Sequence, residues 1–476
     1  MSTTKSDAYN EARDHAEAGR YEQALQQVRK HLVNEPNDTE ALNDAGAILY
    51  ALGRFEEAID HLRAAVSAGE SPPAETLLNL AEVHLAAGQP DQTLKMLGEL
   101  AEQECLTPDL AVRVSTALLN EGRTPQAVEA LVILKHLYPD TEDQVAESAL
   151  AVIRSHRPKV SFFFLPSEEY VAGEIRDFLA DRFEVRWSSE QEAQRLQELL
   201  NWSDIAWFES CDSVFAVASR NAGYAKLVCR LKMYKDSNPW IDEIQWENVD
   251  VLILPSQTVL DKLSQRVGGI SEKTRVVIVP NGVDLDALDE TPKSSGTNIA
   301  CIGLQNIRMR PELLELVQQV AREHPELKLL LAAEHIEDRL GVGEQQHYSK
   351  HIDGETISQV GMPADPIEWL LDKQYVLATN YFAERTPLIA ECLAVGLKPL
   401  IYVPEGEAPG RLAEWFGFTS ADQLQQRIFD EPYDPQQCRE MVAEHFSYRR
   451  QMARLNDVLL ELEQDWLSLQ PEDPQE

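Results

Sequence analysis

The chain of 476 residues has few basic residues for its length and no long apolar run. Its 43 lysines and arginines are outnumbered by 80 aspartates and glutamates, which gives a formal net charge of -37. A surface of that sign repels phosphate backbones and anionic membranes, so we expect no nucleic acid partner. A salty habitat and a need for solubility both stay open as explanations of the acidity.

The sequence also lacks cysteine patterns and metal-binding motifs. Its six cysteines are scattered without the short spacings of a zinc site or a disulfide framework. No paired aspartates stand in a suitable place and histidine does not cluster, so no metal is predicted. The first residues are polar, and the apolar stretches elsewhere are too short to cross a bilayer. We therefore expect a reduced, cytoplasmic protein without integral membrane contact, long enough for two or three domains.

The first third of the sequence repeats with a nearly constant period. Gly19, Gly53, Gly88 and Gly122 fall 34, 35 and 34 residues apart. The small and apolar positions around them, such as Gly46 in the second copy, resemble those of tetratricopeptide repeats, which are helix–turn–helix units. Four units beginning near residues 5, 39, 74 and 108 and a closing helix at 143–155 predict an α-solenoid over residues 1–156.

The sixth residue of each repeat is polar or charged and is expected on the concave face of the solenoid. These residues are Asn10, Asp44, Asn79 and Arg113. A row of such side chains can hydrogen-bond the backbone of an extended peptide. The sequence thus predicts a peptide groove for a protein partner, although exposed polar residues would occupy these positions in any case.

From residue 157 onward, short apolar runs alternate with helical stretches, which is typical of parallel sheets covered on both faces. A first set of runs is followed by a linker at 291–296 and then by a second set. We therefore predict two Rossmann-like α/β domains, at 157–290 and 291–440. The first set lies at 160–166, 183–187, 204–208, 226–231, 251–255 and 275–280, and the second at 298–303, 327–333, 356–361, 375–379 and 398–403.

The segment 375–401 indicates a strand, a loop, a helix and a second strand. Thr386 can cap the helix, Pro387 suits its first turn, and Gly396 ends it. A helix that starts at the carboxyl end of a parallel strand offers free N–H groups to a diphosphate. Glu391, one turn into the helix, is placed to accept hydrogen bonds from sugar hydroxyls. An ordinary strand–helix–strand unit would show the same pattern.

A second motif, VPNGVD at residues 279–284, places a tight turn at Asn281 and Gly282 on the carboxyl edge of a strand. Together with ECLAVGLKP at 391–399, it resembles the retaining GT-B glycosyltransferases of the group 1 family, over residues 158–469. The resemblance implies two domains facing across a cleft, and a helix within 441–476 that crosses back onto the first domain. It also implies a UDP- or GDP-linked sugar donor, with no metal required where cationic side chains neutralise the diphosphate.

The resemblance implies that cationic side chains bind the donor diphosphate. This sequence departs from the family pattern at the positions concerned. The family's arginine and lysine in the loop 303–316 fall on Leu304 and Met309. Arg308 and Arg310 stand beside Met309 and are the candidates to supply that charge.

The family's pair of glutamates falls on Ala383 and Glu391. Glu391 is expected on the ribose, and Glu384, one position late, is the candidate for contact with the sugar. Arg385 can reach a phosphate. Thr386, Pro387 and Leu388, at the helix start, complete the predicted diphosphate-binding site.

On the acceptor side, Lys232 stands where a relative has a histidine, and it is a poor proton shuttle unless burial lowers its pKa. Asn281 and Gly282 are expected to shape the cleft. Trp207, Glu209 and Trp246 are expected near the same sheet edge.

These features predict a retaining glycosyltransferase that moves a sugar from a nucleoside diphosphate to an acceptor. The pairing with repeats is similar to that of protein O-glycosyltransferases, which implies a protein serine or threonine as the acceptor. Two alternatives stay open. One is a polysaccharide or lipid-linked oligosaccharide transferase tethered by its repeats, and the other is a non-catalytic adaptor on a decayed transferase scaffold.

Overall fold

The computed structural model describes residues 7–68, 73–137, 144–166, 169–221, 223–232, 234, 237–286, 288, 296–302, 312–332, 350–364, 366–379, 388–407, 409–432 and 434–469. Contacts between Cα atoms divide the chain into two compact units. The repeat unit comprises residues 1–158 with 177–184, and the sheet unit comprises residues 159–176 with 185–476.

The repeat unit is built from antiparallel helix pairs. Within the residues described, its helices are α1 (Asp7–Glu17), α2 (Tyr21–Asn34), α3 (Thr39–Ala51), α4 (Phe55–Ser67), α5 (Ala74–Ala86), α6 (Pro90–Glu102), α7 (Pro108–Asn120), α8 (Thr124–Leu137) and α9 (Gln144–Arg154). Their first helices begin at the predicted repeat starts, and α9 is the predicted closing helix.

The four periodic glycines are the turns between the paired helices. Their φ angles are 70°, 72°, 70° and 72°, in the left-handed region that glycine adopts without steric cost. In each repeat the residue after the glycine donates its N–H to the carbonyl five positions back, at 2.9 Å. The repeating glycine therefore marks where the first helix of each repeat ends.

A second small residue sets the distance between paired helices. Gly46 of α3 faces Leu62 of α4, and a Cβ built on Gly46 would lie 2.4 Å from Cγ of Leu62. Leu62 has no solvent exposure. The two helices could not approach this closely with alanine at position 46.

The first sheet of the sheet unit is parallel, in the order β2-β1-β3-β4-β5-β6. Strands β1, β3 and β5 are buried along their whole length, as expected for a sheet covered on both faces. The strands are β1 (Val160–Phe163), β2 (Val185–Ser188), β3 (Ile205–Phe208), β4 (Lys226–Arg230), β5 (Val251–Leu254) and β6 (Arg275–Ile278). The helices between them are α10 (Glu169–Arg182), α11 (Ala193–Trp202), α12 (Ser213–Asn221), α13 (Gln257–Val267) and α14 (Ile270–Lys273), with 3₁₀ turns at Pro239–Asp242 and Trp246–Asn248.

The second sheet is also parallel, in the order β9-β8-β7-β10-β11-β12. Its strands are β7 (Asn298–Ile302), β8 (Lys328–Ala332), β9 (Ile357–Val360), β10 (Tyr375–Thr379), β11 (Lys398–Tyr402) and β12 (Gly417–Phe418). Its helices are α15 (Glu312–Glu323), α16 (Pro366–Leu370), α17 (Leu388–Ala394), α18 (Arg411–Phe416), α19 (Ala421–Gln425) with a π turn at Gln426–Asp430, and α20 (Pro435–His445).

The last helix, α21 (Tyr448–Leu469), returns to the first sheet. Glu461 forms an ion pair with Arg275 at the start of β6. Before the helix begins, Val283 donates its N–H to the carbonyl of Phe446 at 2.7 Å and accepts from the N–H of Tyr448 at 3.0 Å. The outgoing segment after β6 and the returning segment before α21 therefore run side by side.

The predicted fold class, an α-solenoid followed by the two Rossmann-like domains of a GT-B fold, is confirmed. The sequence pattern misses β12, because two residues are too few to show an alternation. No helix within the described ranges has both the length and the apolarity to span a membrane.

Replacing Gly46 by alanine should lower the free energy of unfolding by about 1–3 kcal/mol, because the added methyl group collides with Leu62. Gly98→Ala is the matched control, since Gly98 lies in helix α6 and a Cβ there would meet nothing within 4 Å. That control should gain up to about 1 kcal/mol from helix propensity. Urea unfolding followed by circular dichroism measures both, and equal effects of the two variants would contradict the packing argument.

Candidate functional site

The second sheet has a topological switch point between β7 and β10. From β7 the strand order runs one way through β8 and β9 and the other way through β10, β11 and β12. Ligands of open α/β sheets bind outside the carboxyl ends of the strands at such a point. The chain segments that follow β7 and β10 are therefore the expected ligand-binding loops.

Most of the predicted donor-binding residues belong to these two loops. Arg308 and Arg310 follow β7, and Glu384, Arg385, Thr386 and Pro387 follow β10. They lie outside the residues that the structure describes, so their roles stay predictions.

Two predicted residues of this site are described, and both lie on α17. Leu388 is partly buried against the core of the second sheet. Glu391 is half-buried, and within the described part of the chain its carboxylate has no hydrogen-bond or ion-pair partner. Burial raises the pKa of Glu391 above its ordinary value. A carboxylate beside a switch point with its acceptor positions open can bind hydroxyl groups.

At the carboxyl edge of the first sheet lies a buried ion pair. Glu209, directly after β3, has no solvent exposure, and Arg230 at the end of β4 is 3% exposed. The guanidinium of Arg230 donates to Oε2 of Glu209 at 2.7 Å, and the indole N–H of Trp207 donates to Oε1 at 2.7 Å. Both carboxylate oxygens are therefore hydrogen-bonded.

Arg230 also connects the first sheet to the segments that enter and leave the second sheet. A second guanidinium nitrogen donates to Oδ1 of Asn281 and to Oε1 of Gln451, each at 3.2 Å. Oε1 of Gln451 accepts the N–H of Gly282 as well, at 2.5 Å. We call Glu209, Arg230, Asn281 and Gln451 the edge network.

Asn281 and Gly282, the two motif residues expected to shape the cleft, both form hydrogen bonds in the edge network. Both atoms of the side-chain amide of Asn281 are hydrogen-bonded. The oxygen accepts from Arg230, and the nitrogen donates to the carbonyl of Lys232 at 2.9 Å. At Gly282 the chain passes close to the start of α21, since a Cβ there would lie 2.6 Å from Cα of Tyr448. In the structure both residues hold the crossing segments together.

Lys232, the predicted acceptor-side residue, lies beside the buried pair. Its Nζ is 4.0 Å from Oε2 of Glu209, and its side chain is 14% exposed. Glu209 therefore has two cationic neighbours.

Three of the four residues predicted to form the peptide ladder contact neighbouring first helices of the solenoid. The hydroxyl of Tyr9 donates to Oδ2 of Asp44 at 2.6 Å, which links α1 to α3. The amide of Asn79 donates to Oδ1 of Asn43 at 3.0 Å, which links α3 to α5.

Arg113 forms an ion pair with Glu82 that links α5 to α7, and Asn10 is exposed on α1. Three of the four ladder side chains thus join adjacent repeats.

Sequence reasoning missed Arg230 and Gln451. A charged residue inside the apolar run 226–231 was a signal that Arg230 needs a buried partner. Gln451 gives no such signal, because it lies 221 residues from Arg230 along the chain. No cluster of three or more metal-ligating side chains occurs within the described ranges.

Glu209→Gln should lower the free energy of unfolding by about 3–5 kcal/mol, because the charge of Arg230 then stays buried without compensation. The double variant Glu209→Leu with Arg230→Met should recover most of that loss. Glu198→Gln is the control, since the ion pair of Glu198 with Arg195 is more than a third exposed on both sides, and a change below about 1 kcal/mol is expected. Equal losses for Glu209→Gln and Glu198→Gln in urea unfolding would contradict the assignment.

Comparison with known proteins finds a family match in the repeat unit. Residues 9–75 and residues 74–93 match tetratricopeptide repeat families. The chain has no match among curated proteins.

Solved structures with a similar course of the chain include three of low identity. A mutant of the O-GlcNAc transferase of Thermobaculum terrenum is 16% identical, with 98% of this chain and 99% of that chain covered and a TM-score of 0.44. HepE of Anabaena in complex with UDP and glucose is 16% identical over 64% of this chain and 100% of that one, with a TM-score of 0.46. The lipopolysaccharide outer core galactosyltransferase WaaB is 12% identical over 64% and 99%, with a TM-score of 0.45.

At these identities and TM-scores, the three structures do not determine what this chain does. The sequence match does assign its first part. Residues 9–93 are tetratricopeptide repeats, as predicted from the period of the glycines.

Proposed function

We propose that this protein is a retaining glycosyltransferase that moves a sugar from a nucleoside diphosphate to an acceptor recruited by its repeats. The proposal is supported by the order of the second sheet, whose switch point lies between β7 and β10. It is also supported by the two motifs, 279–284 and 391–399, that resemble the group 1 family.

The observation that carries the proposal is the environment of Glu391. A carboxylate on the helix that follows β10 is half-buried and has no partner among the residues described. Leaving an ionised group in that state is unfavourable, as its raised pKa shows. Ribose hydroxyls would supply the missing donors, and hydrogen bonds to an ionised acceptor are about twice as strong as those between neutral groups.

In the proposed reaction the protein supplies positioning and charge. The diphosphate would lie at the loops after β7 and β10, held by Arg308, Arg310 and Arg385 and by the helix start at 386–388. Such cations stabilise the charge that develops on the leaving phosphate, so that no metal is required.

The acceptor hydroxyl would attack the face of the sugar that the phosphate leaves, and the leaving phosphate would take the proton. The protein then needs no general base. Glu384 would contact the sugar, and Lys232 would meet the acceptor as a cation.

The proposed acceptor is a serine or threonine of a protein. The pairing of tetratricopeptide repeats with two Rossmann-like domains supports a peptide-like acceptor, because solenoids of this kind bind extended segments. In the competing adaptor function the four altered positions, Leu304, Met309, Ala383 and Lys232, abolish the activity, and the repeats alone carry the function.

Glu391→Gln should weaken binding of UDP or GDP about tenfold or more, because charge-assisted hydrogen bonds to the ribose are lost. The same change should raise the stability of the unliganded protein at pH 7. Folding raises the pKa of Glu391, so the folded state holds this proton more tightly and stability declines as pH rises from the ordinary value of 4.5 through the raised value. Glutamine does not ionise, so Glu391→Gln avoids this loss of stability. Calorimetry and thermal unfolding measure the two effects, which have opposite signs.

Glu323→Gln is the matched control, because Glu323 is an exposed glutamate of the same domain, at the end of α15. It should change neither affinity nor stability. Equal nucleotide binding by the wild type and Glu391→Gln would remove Glu391 from the site. Absence of UDP and GDP binding by the wild type would favour the adaptor.

A further inference from the structure

The repeat unit contains a cavity between its first two repeats. It has a volume of about 310 Å³ and is lined by α1, α2 and α3. Its floor is apolar and buried, with Ala12, Val28 and Ile48 exposed by 0%, 1% and 6%. Ala16 of α1 and Ala47 of α3 also line the cavity and leave it open because their side chains are a single methyl group.

Among the residues described, the cavity is an apolar surface at this end of the solenoid that no other side chain fills. The polar ladder expected to bind a peptide backbone is used in the links between first helices, as shown by the bond from Tyr9 to Asp44. An incoming segment would have to break those links to use the ladder. The cavity offers apolar surface without that cost.

Charges at the mouth of the cavity are mainly negative. Glu17, Asp44 and Arg13 line it, and neither Glu17 nor Arg13 has an ion-pair partner among the described residues. One carboxylate oxygen of Asp44 accepts from Tyr9, and the other has no partner in the described ranges. Helices α1 and α3 together carry a single arginine, Arg13, against six carboxylates, Asp7, Glu11, Asp14, Glu17, Glu40 and Asp44.

We propose that this cavity binds one aromatic side chain of an extended peptide segment that carries lysine or arginine on either side of it. The volume is at the lower end of the range of ligand pockets, which suits one large side chain. Tyr21 at the mouth is 38% exposed and offers a ring for edge or stacked contact. The flanking cations meet the carboxylates of α1 and α3.

The inference rests on the proposed function, since it names the chemistry of the acceptor segment that the repeats recruit. It means that the first two repeats select the acceptor segment, and that they do so by the shape and charge of its side chains. A backbone-reading ladder would instead accept many sequences of similar length.

The test uses the full chain and three fluorescein-labelled peptides in an anisotropy titration without nucleotide. The first peptide is Lys-Ser-Lys-Phe-Lys-Ser-Lys, the second has serine in place of phenylalanine, and the third has glutamate in place of every lysine. The first should bind in the micromolar range and more weakly as salt is raised. The second and third should each bind at least tenfold more weakly.

Ala47→Leu fills the cavity and should weaken binding of the first peptide at least tenfold. Ala64→Leu is the matched control, since Ala64 is exposed on α4 and is not part of the cavity lining. It should leave the affinity within twofold of the wild type. Circular dichroism melts report whether both variants fold.

Equal binding of the phenylalanine and serine peptides would overturn the proposal, and this comparison needs no protein variant. Unchanged affinity in Ala47→Leu would overturn the location, and preference for the acidic peptide would overturn the charge argument. Because nucleotide is absent, these outcomes are independent of donor binding at Glu391, which the calorimetry measures separately.

Discussion

The sheet unit depends on a carboxylate that has no contact with solvent. Moving Glu209 and Arg230 out of water costs several kcal/mol for each ion, and the fold offsets this by satisfying both oxygens of Glu209 and two nitrogens of Arg230. The partners in this arrangement come from four different parts of the chain. The strand ends of β3 and β4, the loop after β6 and the last helix must all be in place before the charges are compensated.

The repeat period could be predicted because it reflects backbone geometry. Gly53 and its counterparts adopt positive φ, which other residues rarely tolerate, so the same residue returns wherever the turn returns. The strands were predictable for a similar reason, since a sheet buried on both faces requires unbroken apolar runs. The predicted strand boundaries differ from the observed ones by at most three residues, as at β2, where the strand begins at Val185 and the apolar run at Phe183.

Side-chain partnerships were predictable only in part. The motif around Asn281 and Gly282 was correctly located at a strand's carboxyl edge, yet its bonds to Arg230 and Gln451 depend on a helix far along the chain. The polar residues of the solenoid show the same limit. A hydrophilic side chain on an inner face is equally consistent with exposure to solvent and with a hydrogen-bond partner on another helix. Asp44 and Asn79 have such partners on the adjacent repeats.

The side-by-side segments at Val283 and Tyr448 affect how the chain can be divided. The last helix is covalently attached to the second Rossmann-like domain but bonds to the first through Gln451 and Glu461. The first Rossmann-like domain is therefore not a continuous stretch of sequence, because the last helix completes it. A fragment ending near residue 290 would expose the guanidinium of Arg230 to solvent, and a fragment starting there would carry a helix without its packing surface. Dissection of this protein should therefore keep the sheet unit whole.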